Sequence, residues 1–469
     1  MKKLHIKFSP LNIGLFSMMC ATLAGAPSFR IGLNALLSND RVEPFQWDDE
    51  HFWFQASEYH RGKIGLVDYL LYPANGNIMV LPRLIFLVWT STDWVETRFL
   101  FGILPGAIAL ALTTYLLILL LLELGLMPPK ALGIALIFAF SLHSREFFAG
   151  LAMNGLLLFQ IPLLIWLLLR QVKNSQIGIR TMFALALLPV LAEGRHIVLI
   201  LLIAFILSLS GPQSSSVRWR LFFATVGASI ATTAMLLAGR IFGEPTATFN
   251  QPDYLEYPQV GLVEGLWIGI RAHSLHVFWV WTNTRTDNFV TIGGDDPIPV
   301  YGTHFAVFLG VTSLVAIMTI IVKEKVGIVS NMQPHLQVLT FCGTCAGTFI
   351  LATSIGRGAS GWDWNTPRYS PFAGVIAVLI LGVVLQLSNR LGWRVLGGAL
   401  LGLLTVLQFV REWDGLWHVN SANKLIDEVA ICLSLALIGV VFLNLLVEVT
   451  KDLESDTLDV THPPSDRVG

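Results

Sequence analysis

The sequence predicts an all-α polytopic membrane protein, with about 12 transmembrane helices and helices lying on the membrane surface in its first outer loop. Three observations predict this. The chain has 469 residues, of which 54% are hydrophobic and only 13% are charged, and its mean hydropathy is +0.67; soluble domains carry about 25% charged residues. Several apolar runs approach or exceed the roughly 20 residues that cross a ~30 Å hydrocarbon core. Lys and Arg gather in alternate connections, as cytoplasmic loops require. In lipid every backbone polar group must be satisfied within the protein, so long apolar runs become helices. Barrel strands are shorter and alternate in polarity.

Helix-sized runs lie at 11–29, 98–125, 131–145, 150–170, 182–193, 196–210, 221–240, 304–322, 335–353, 371–388, 395–411 and 428–448. Lys2, Lys3 and Lys7 precede the first run, and Ala24-Gly25-Ala26 follows it like a signal-peptide cleavage site. Pro27 disfavours cleavage there, so the run reads as an uncleaved first membrane helix. The next basic connections are Arg170 to Arg180, Arg218 and Arg220, Lys323 to Lys325, and Arg390 with Arg394. All fall on the cytoplasmic side if Ile78–Thr90 does not span. That segment is short, follows Asn75-Gly76-Asn77 and contains Pro82-Arg83, so it reads as an interfacial helix on the outer surface.

This topology makes residues 1–450 a single transmembrane domain of a plasma (inner) membrane protein, with both termini cytoplasmic. It exposes outer loops at 31–97, 241–303 and 354–370. The polar segment 451–469 reads as a disordered cytoplasmic tail. A net charge of -1 implies no bulk attraction to nucleic acid. Of the four cysteines, Cys342 and Cys345 form a lone C-x-x-C inside an apolar run. Without a second pair or a nearby His, they read as small residues at a helix contact. No Gly-rich phosphate loop, H-E-x-x-H or G-x-S-x-G is present. A nucleotide-sugar enzyme with an appended cytoplasmic domain is therefore disfavoured.

The densest constellation of chemistry is Trp47-Asp48-Asp49-Glu50-His51-Phe52-Trp53, in the first outer loop. A carboxylate here suits a general base, and Asp48, Asp49 and Glu50 suit oxygen ligation of a divalent cation. If the stretch begins a helix, adjacent acids point in different directions and favour its N-terminus. The bland alternative is a surface helix capped by acids. Arg83 stands where a lipid phosphate or a headgroup is met at the interface, through bidentate donation or simple snorkelling.

Arg357 and Arg368, with Tyr369, occupy an outer loop against the positive-inside rule. Such guanidinium groups suit a phosphate leaving group; the alternative is an aromatic belt with charge-paired arginines, such as Arg357 with Asp363. Glu193, Arg195 and His196 sit between two short apolar runs, where ionisable groups are functional or paired with each other. The loop 241–303 is rich in Trp and acids, which suits an acceptor sugar or the interface.

The first-loop run resembles the Phe-Asp-Glu-x-His-Phe motif of the protein O-mannosyltransferases. Trp47, Asp48, Asp49, His51 and Phe52 fall on its places, with Trp47 and Asp49 as departures. More broadly the layout resembles the GT-C superfamily of polytopic glycosyltransferases, on hydropathy and a few residues. Gly76 to Leu84 is similar to a Gly-aromatic-x-x-x-x-Pro-Arg-Leu stretch of its bacterial members, with Asn77 in place of the aromatic. Gly356-Arg357 with Arg368-Tyr369 resembles a pair in outer loops of bacterial cell-surface polysaccharide enzymes, and Ser144-Arg145-Glu146 with Asn154 resembles a further stretch.

The resemblance implies an inverting transfer on the outer face. Asp48, or failing that Asp49, is the implied base. The implied donor is a polyprenyl-phosphate-linked sugar, and the implied acceptor a glycan or glycolipid. No cofactor is required; a divalent cation, Mg or Mn, is optional. The rivals are a polysaccharide polymerase or ligase, which needs similar arginines but not Asp48, and a lipid-linked sugar transporter or flippase. Transport sites lie near the bilayer midplane, whereas the ionisable residues here gather at one outer face.

Overall fold

A computed structural model describes residues 9–26, 48–71, 79–91, 97–141, 146–148, 160–173, 333–356, 370–387 and 424–461, with isolated positions elsewhere. Every regular element among the described residues is helical. In chain order they are α1 (Pro10–Ala24), α2 (Asp48–His60), α3 (Leu66–Leu71), α4 (Val80–Thr90), α5 (Thr97–Glu123), α6 (Pro128–Ala139), a 3₁₀ turn (Glu146–Phe148), α7 (Ile161–Val172), α8 (Gln333–Gly356), α9 (Ser370–Leu387) and α10 (Lys424–Thr461).

Among the described residues, two helices are long and apolar enough to cross a membrane, through their windows Ile103–Glu123 and Glu428–Val447. At 1.5 Å per residue each window covers about 30 Å. Shorter apolar helices include α1, α4, α6 and α7. The expected runs 196–210, 304–322 and 395–411 lie outside the described residues, as do 182–193 and 221–240 apart from isolated positions.

Helix α5 is the centre of the larger core. It packs against α1, α6, α7 and the 3₁₀ turn, while α6 also packs on α9 and α10, and α8 packs on α9. Their apolar side chains form one contiguous cluster. The hydroxyls inside these helices are satisfied on their own backbone. Ser17 donates to the Ile13 carbonyl, Thr113 to Ala109 and Thr114 to Leu110, each four residues back.

Close backbone approach decides where two glycines stand. A Cβ on Gly106 would lie 1.9 Å from the Phe147 carbonyl oxygen, so only Gly lets the 3₁₀ turn sit against α5. Gly125 closes α5 at φ +87. There Leu126 N–H donates to Leu121 O at 3.1 Å and Gly125 N–H to Leu122 O at 2.9 Å, the Schellman pattern that satisfies final carbonyls. His335 of α8 adds a side-chain cap, its Nε2 donating to Leu124 O at 3.1 Å.

Several boundaries differ from the sequence expectation. Helix α1 itself ends at Ala24 with Gly25 as a turn, and helical positions recur at Ala26 and Phe29, where the Phe29 N–H donates to Gly25 O at 2.9 Å. Helix α6 starts at Pro128, since proline suits the first helical turn. The last helix continues through Thr461, past Lys451 where a disordered tail was expected. The helix continues through the drop in hydropathy there. Cys342 and Cys345 are buried and free on α8, inside the larger core as expected of small packing residues.

Candidate functional site

Helices α2, α3 and α4 form a second, smaller core before the long helix α5. Phe52, Ala56, Tyr69, Met79, Phe86 and Trp89 are its buried apolar residues. The sequence dictates this packing by periodicity. On α2, Phe52, Gln55, Ala56 and Tyr59 recur at three- and four-residue spacing, which makes one face; α2 packs on α4. Phe52 stacks on Phe86 with ring centroids 5.6 Å apart, and Trp53 meets Trp89 edge-on at 5.3 Å. Such pairs add about 0.5–1.5 kcal/mol each beyond their buried area.

A charge lies inside this small core. Arg83 of α4 is fully buried. One of its terminal nitrogens donates to Gln55 Oε1 at 2.5 Å. Its guanidinium carbon stands 4.7 Å from the Phe52 ring centroid and 5.2 Å from that of Tyr69. The Tyr69 hydroxyl donates to the Arg83 carbonyl at 2.8 Å. Burial pushes the Tyr69 phenol well above its ordinary value, against the opposing pull of the Arg83 charge.

Arg83 therefore does not snorkel to a headgroup. The aromatic faces of α2 and α3 and the Gln55 amide draw it inward, and a phosphate reaches it only if α2 parts from α4. Neither Gln55 nor Tyr69 stands out in the sequence alone. The signal that finds Gln55 is its register, seven residues after Asp48 and three after Phe52.

Helix α2 begins at Asp48, so Asp48, Asp49, Glu50 and His51 form its first turn. Their side chains lie outside the described ones. Their register is nonetheless set by the helix. Asp48 is four residues before Phe52 and seven before Gln55, on the stripe that encloses Arg83. One helical turn, about 6 Å along the axis, separates it from Phe52. Asp49 is turned by about 100° from it, as expected for acids that open a helix. Both acids sit at the positive end of the helix dipole, which stabilises carboxylate anions.

The far end of α2 is closed with equal care. Gly62 takes φ +72, its N–H donates to Tyr59 O at 2.8 Å, and Lys63 N–H donates to Glu58 O at 3.0 Å. Glu58 pairs with Lys63 at 2.8 Å and Arg61 at 3.0 Å. These two cations, Lys63 first, hold its carboxyl below the usual glutamate value. His60 Nε2 donates to Leu87 O at 3.1 Å, tying α2 to α4.

Arg357, Arg368, Tyr369, Glu193, Arg195 and His196 lie outside the described residues, so they are not placed relative to Asp48 and Arg83. Of the Ser144-Arg145-Glu146 stretch, Ser144 is buried and donates to Ser141 O at 2.7 Å. Glu146 opens the 3₁₀ turn, whose Phe147 and Phe148 are buried beside α5. Among the described residues no group of three His, Cys, Asp or Glu is placed to hold a metal ion.

No family model, curated protein or solved structure matches this chain.

Proposed function

We propose that this chain is an inverting, GT-C-like membrane glycosyltransferase that moves a sugar from a polyprenyl-phosphate donor to a glycan or glycolipid acceptor on the outer face of the plasma (inner) membrane. The observation that carries the reading is the start of α2 at Asp48, which puts two adjacent carboxylates at a helix N-terminus. The same helix, one and two turns on, grips the buried Arg83 guanidinium through Phe52 and Gln55. The helix dipole favours an ionised carboxylate at that end, the form that accepts a proton.

In the proposed reaction the acceptor hydroxyl attacks the anomeric carbon from the side opposite the phosphate. Asp48, or in its place Asp49, takes the hydroxyl proton as the new glycosidic bond forms. The bond to the donor phosphate breaks, and its oxygen carries the electron pair away. Arg357 and Arg368 are assigned to that developing charge, with Tyr369 beside the sugar. Glu193, Arg195 and His196 are assigned to support on the same outer side. The buried place of Arg83 favours a role in holding the acid-bearing helix over direct phosphate contact. An optional Mg or Mn ion would sit on Asp48, Asp49 and Glu50.

The test is separate Asp48→Asn and Asp49→Asn substitution in a host lacking the gene, with surface glycan and protein level both measured. Removing a general base costs about 10²–10⁴-fold in rate, so one variant is expected to lose its glycan at normal protein level. Full glycan with both residues changed would refute the proposal, and would favour a polymerase or ligase that uses the arginines alone.

A further inference from the structure

We infer that His335 is a pH-sensitive lock between the start of α8 and the end of α5, closed while its imidazole is neutral and released when the ring takes a second proton. The contact joins residues 211 apart in the chain: His335 Nε2 donates to Leu124 O at 3.1 Å. A carbonyl only accepts, so Nε2 must carry the proton, and in the neutral ring Nδ1 is bare. Nδ1 is buried and makes no hydrogen bond among the described residues. A proton added there creates a charged N–H that the closed contact leaves orphaned, which is costly in a buried place. Parting α8 from α5 gives that N–H to water.

Two helix ends meet at the ring and oppose each other. Leu124 follows the last residue of α5, at the negative end of its dipole, which favours imidazolium. His335 is the third residue of α8, at the positive end, which disfavours it. With the two set against each other, the fate of the Nδ1 proton decides the balance.

The neighbouring groups leave that balance standing. Helix α8 packs on α9 and α7. Helix α9 carries no ionisable residue, and it brings the neutral Gln386 amide against Gly125 at the end of α5. On α7 the charges are Arg170 and, at its cap, Lys173; α6 adds Lys130. At its last turn α5 offers only Glu123, and that carboxylate is held by Lys173 at 3.3 Å. On α8 itself the other titratable groups are the buried thiols of Cys342 and Cys345, two turns or more away, which ionise only at higher pH.

Once open, the imidazole titrates near its ordinary value of about 6.5. The lock is therefore at full strength above that pH, and each unit below it favours opening by up to about tenfold. By the proposed topology this end of the bundle is cytoplasmic. Helix α8 spans 24 residues, and Arg357 follows its far end. The lock thus stands at the base of the helix that leads to an arginine assigned to the donor phosphate. That link to sugar transfer rests on the proposed function, and the lock itself does not.

Hydrogen exchange on full-length protein in nanodiscs at pH 7.5, 6.5 and 5.5, each corrected for the intrinsic rate, tests it. Peptides over the end of α5 and the start of α8 should lose protection by about tenfold between pH 7.5 and 5.5, while the middle of α5 stays unchanged. His335→Gln keeps a side-chain N–H donor that does not titrate, so its protection there should change less than about twofold. Glu123→Gln should keep the tenfold response. Flat or rising protection in the unsubstituted chain would overturn the inference whatever the variants do. So would a loss in His335→Gln equal to that of the unsubstituted chain, or a response abolished by Glu123→Gln. Surface glycan in the host reports on the proposed transfer separately.

Discussion

Replacing Arg83 with Met should loosen the α2–α3–α4 core while leaving the larger bundle intact. The substitution keeps a long apolar stem and removes the guanidinium. A hydrogen bond to a charged group contributes about 1.5–3 kcal/mol, and orphaning the buried Gln55 oxygen costs about 1–3 kcal/mol more. The ring contacts at Phe52 and Tyr69 contribute about 0.5–2 kcal/mol each when desolvated. These contributions overlap, because one group makes them all, and Met recovers part of the packing. A net loss of about 3 kcal/mol is the working figure, which corresponds to about a hundredfold in an opening equilibrium.

Hydrogen exchange followed by mass spectrometry, on protein in detergent or nanodiscs, reads this directly. Peptides covering α2 and α4 should lose protection by about a hundredfold, and peptides from the middle of α5 should not change, since local cores open separately from global unfolding. Arg83→Lys should fall between, because an ammonium keeps the charge and loses the planar fork that stacks on rings. Unchanged exchange in α2 for Arg83→Met would refute the idea that this buried charge organises the small core.

Gly106→Ala should be destabilising by about 1–3 kcal/mol through forced separation of α5 from the Phe147 carbonyl, whereas Gly439→Ala, which meets nothing within 4 Å, should be neutral or slightly stabilising; melting temperatures in one detergent compare the two. His335→Phe should remove the cap on Leu124 O and cost about 1 kcal/mol, with faster exchange at the end of α5 as the sign. Glu58 has a folded-state value below its ordinary one, so its contribution is present above about pH 4.5 and is lost as pH falls through the lower folded value. Protection at the end of α2 should therefore drop on acidification, and Glu58→Gln should flatten that dependence; a steep acid drop surviving in Glu58→Gln would assign it to another group.

Much of the helical layout is legible in the sequence because hydropathy is a local property. The runs expected at 98–125, 335–353 and 371–388 correspond closely to α5, α8 and α9, and Asp48-Asp49-Glu50 marks a helix start because acids favour that end. The short span of α4 was also readable from Pro82, Arg83 and the run's length. The surroundings of Arg83 were not, since its sequence neighbours are apolar whether it faces headgroups or a core. Gln55 and Tyr69 approach it from 28 and 14 residues away, and no local pattern couples such distances.

Among the described residues, the sequence by itself determined which stretches are helical and apolar, and where acids cluster at a helix start. Only the tertiary structure decided that the Arg83 charge is enclosed by Phe52, Gln55 and Tyr69, and that Gly106 is a contact point and Gly439 an open one. It also decided which side of α10 its own bundle covers. The physical reason is that backbone hydrogen bonding and hydropathy act within a few residues, whereas burial depends on which helix faces meet, and that is set by packing across the whole chain.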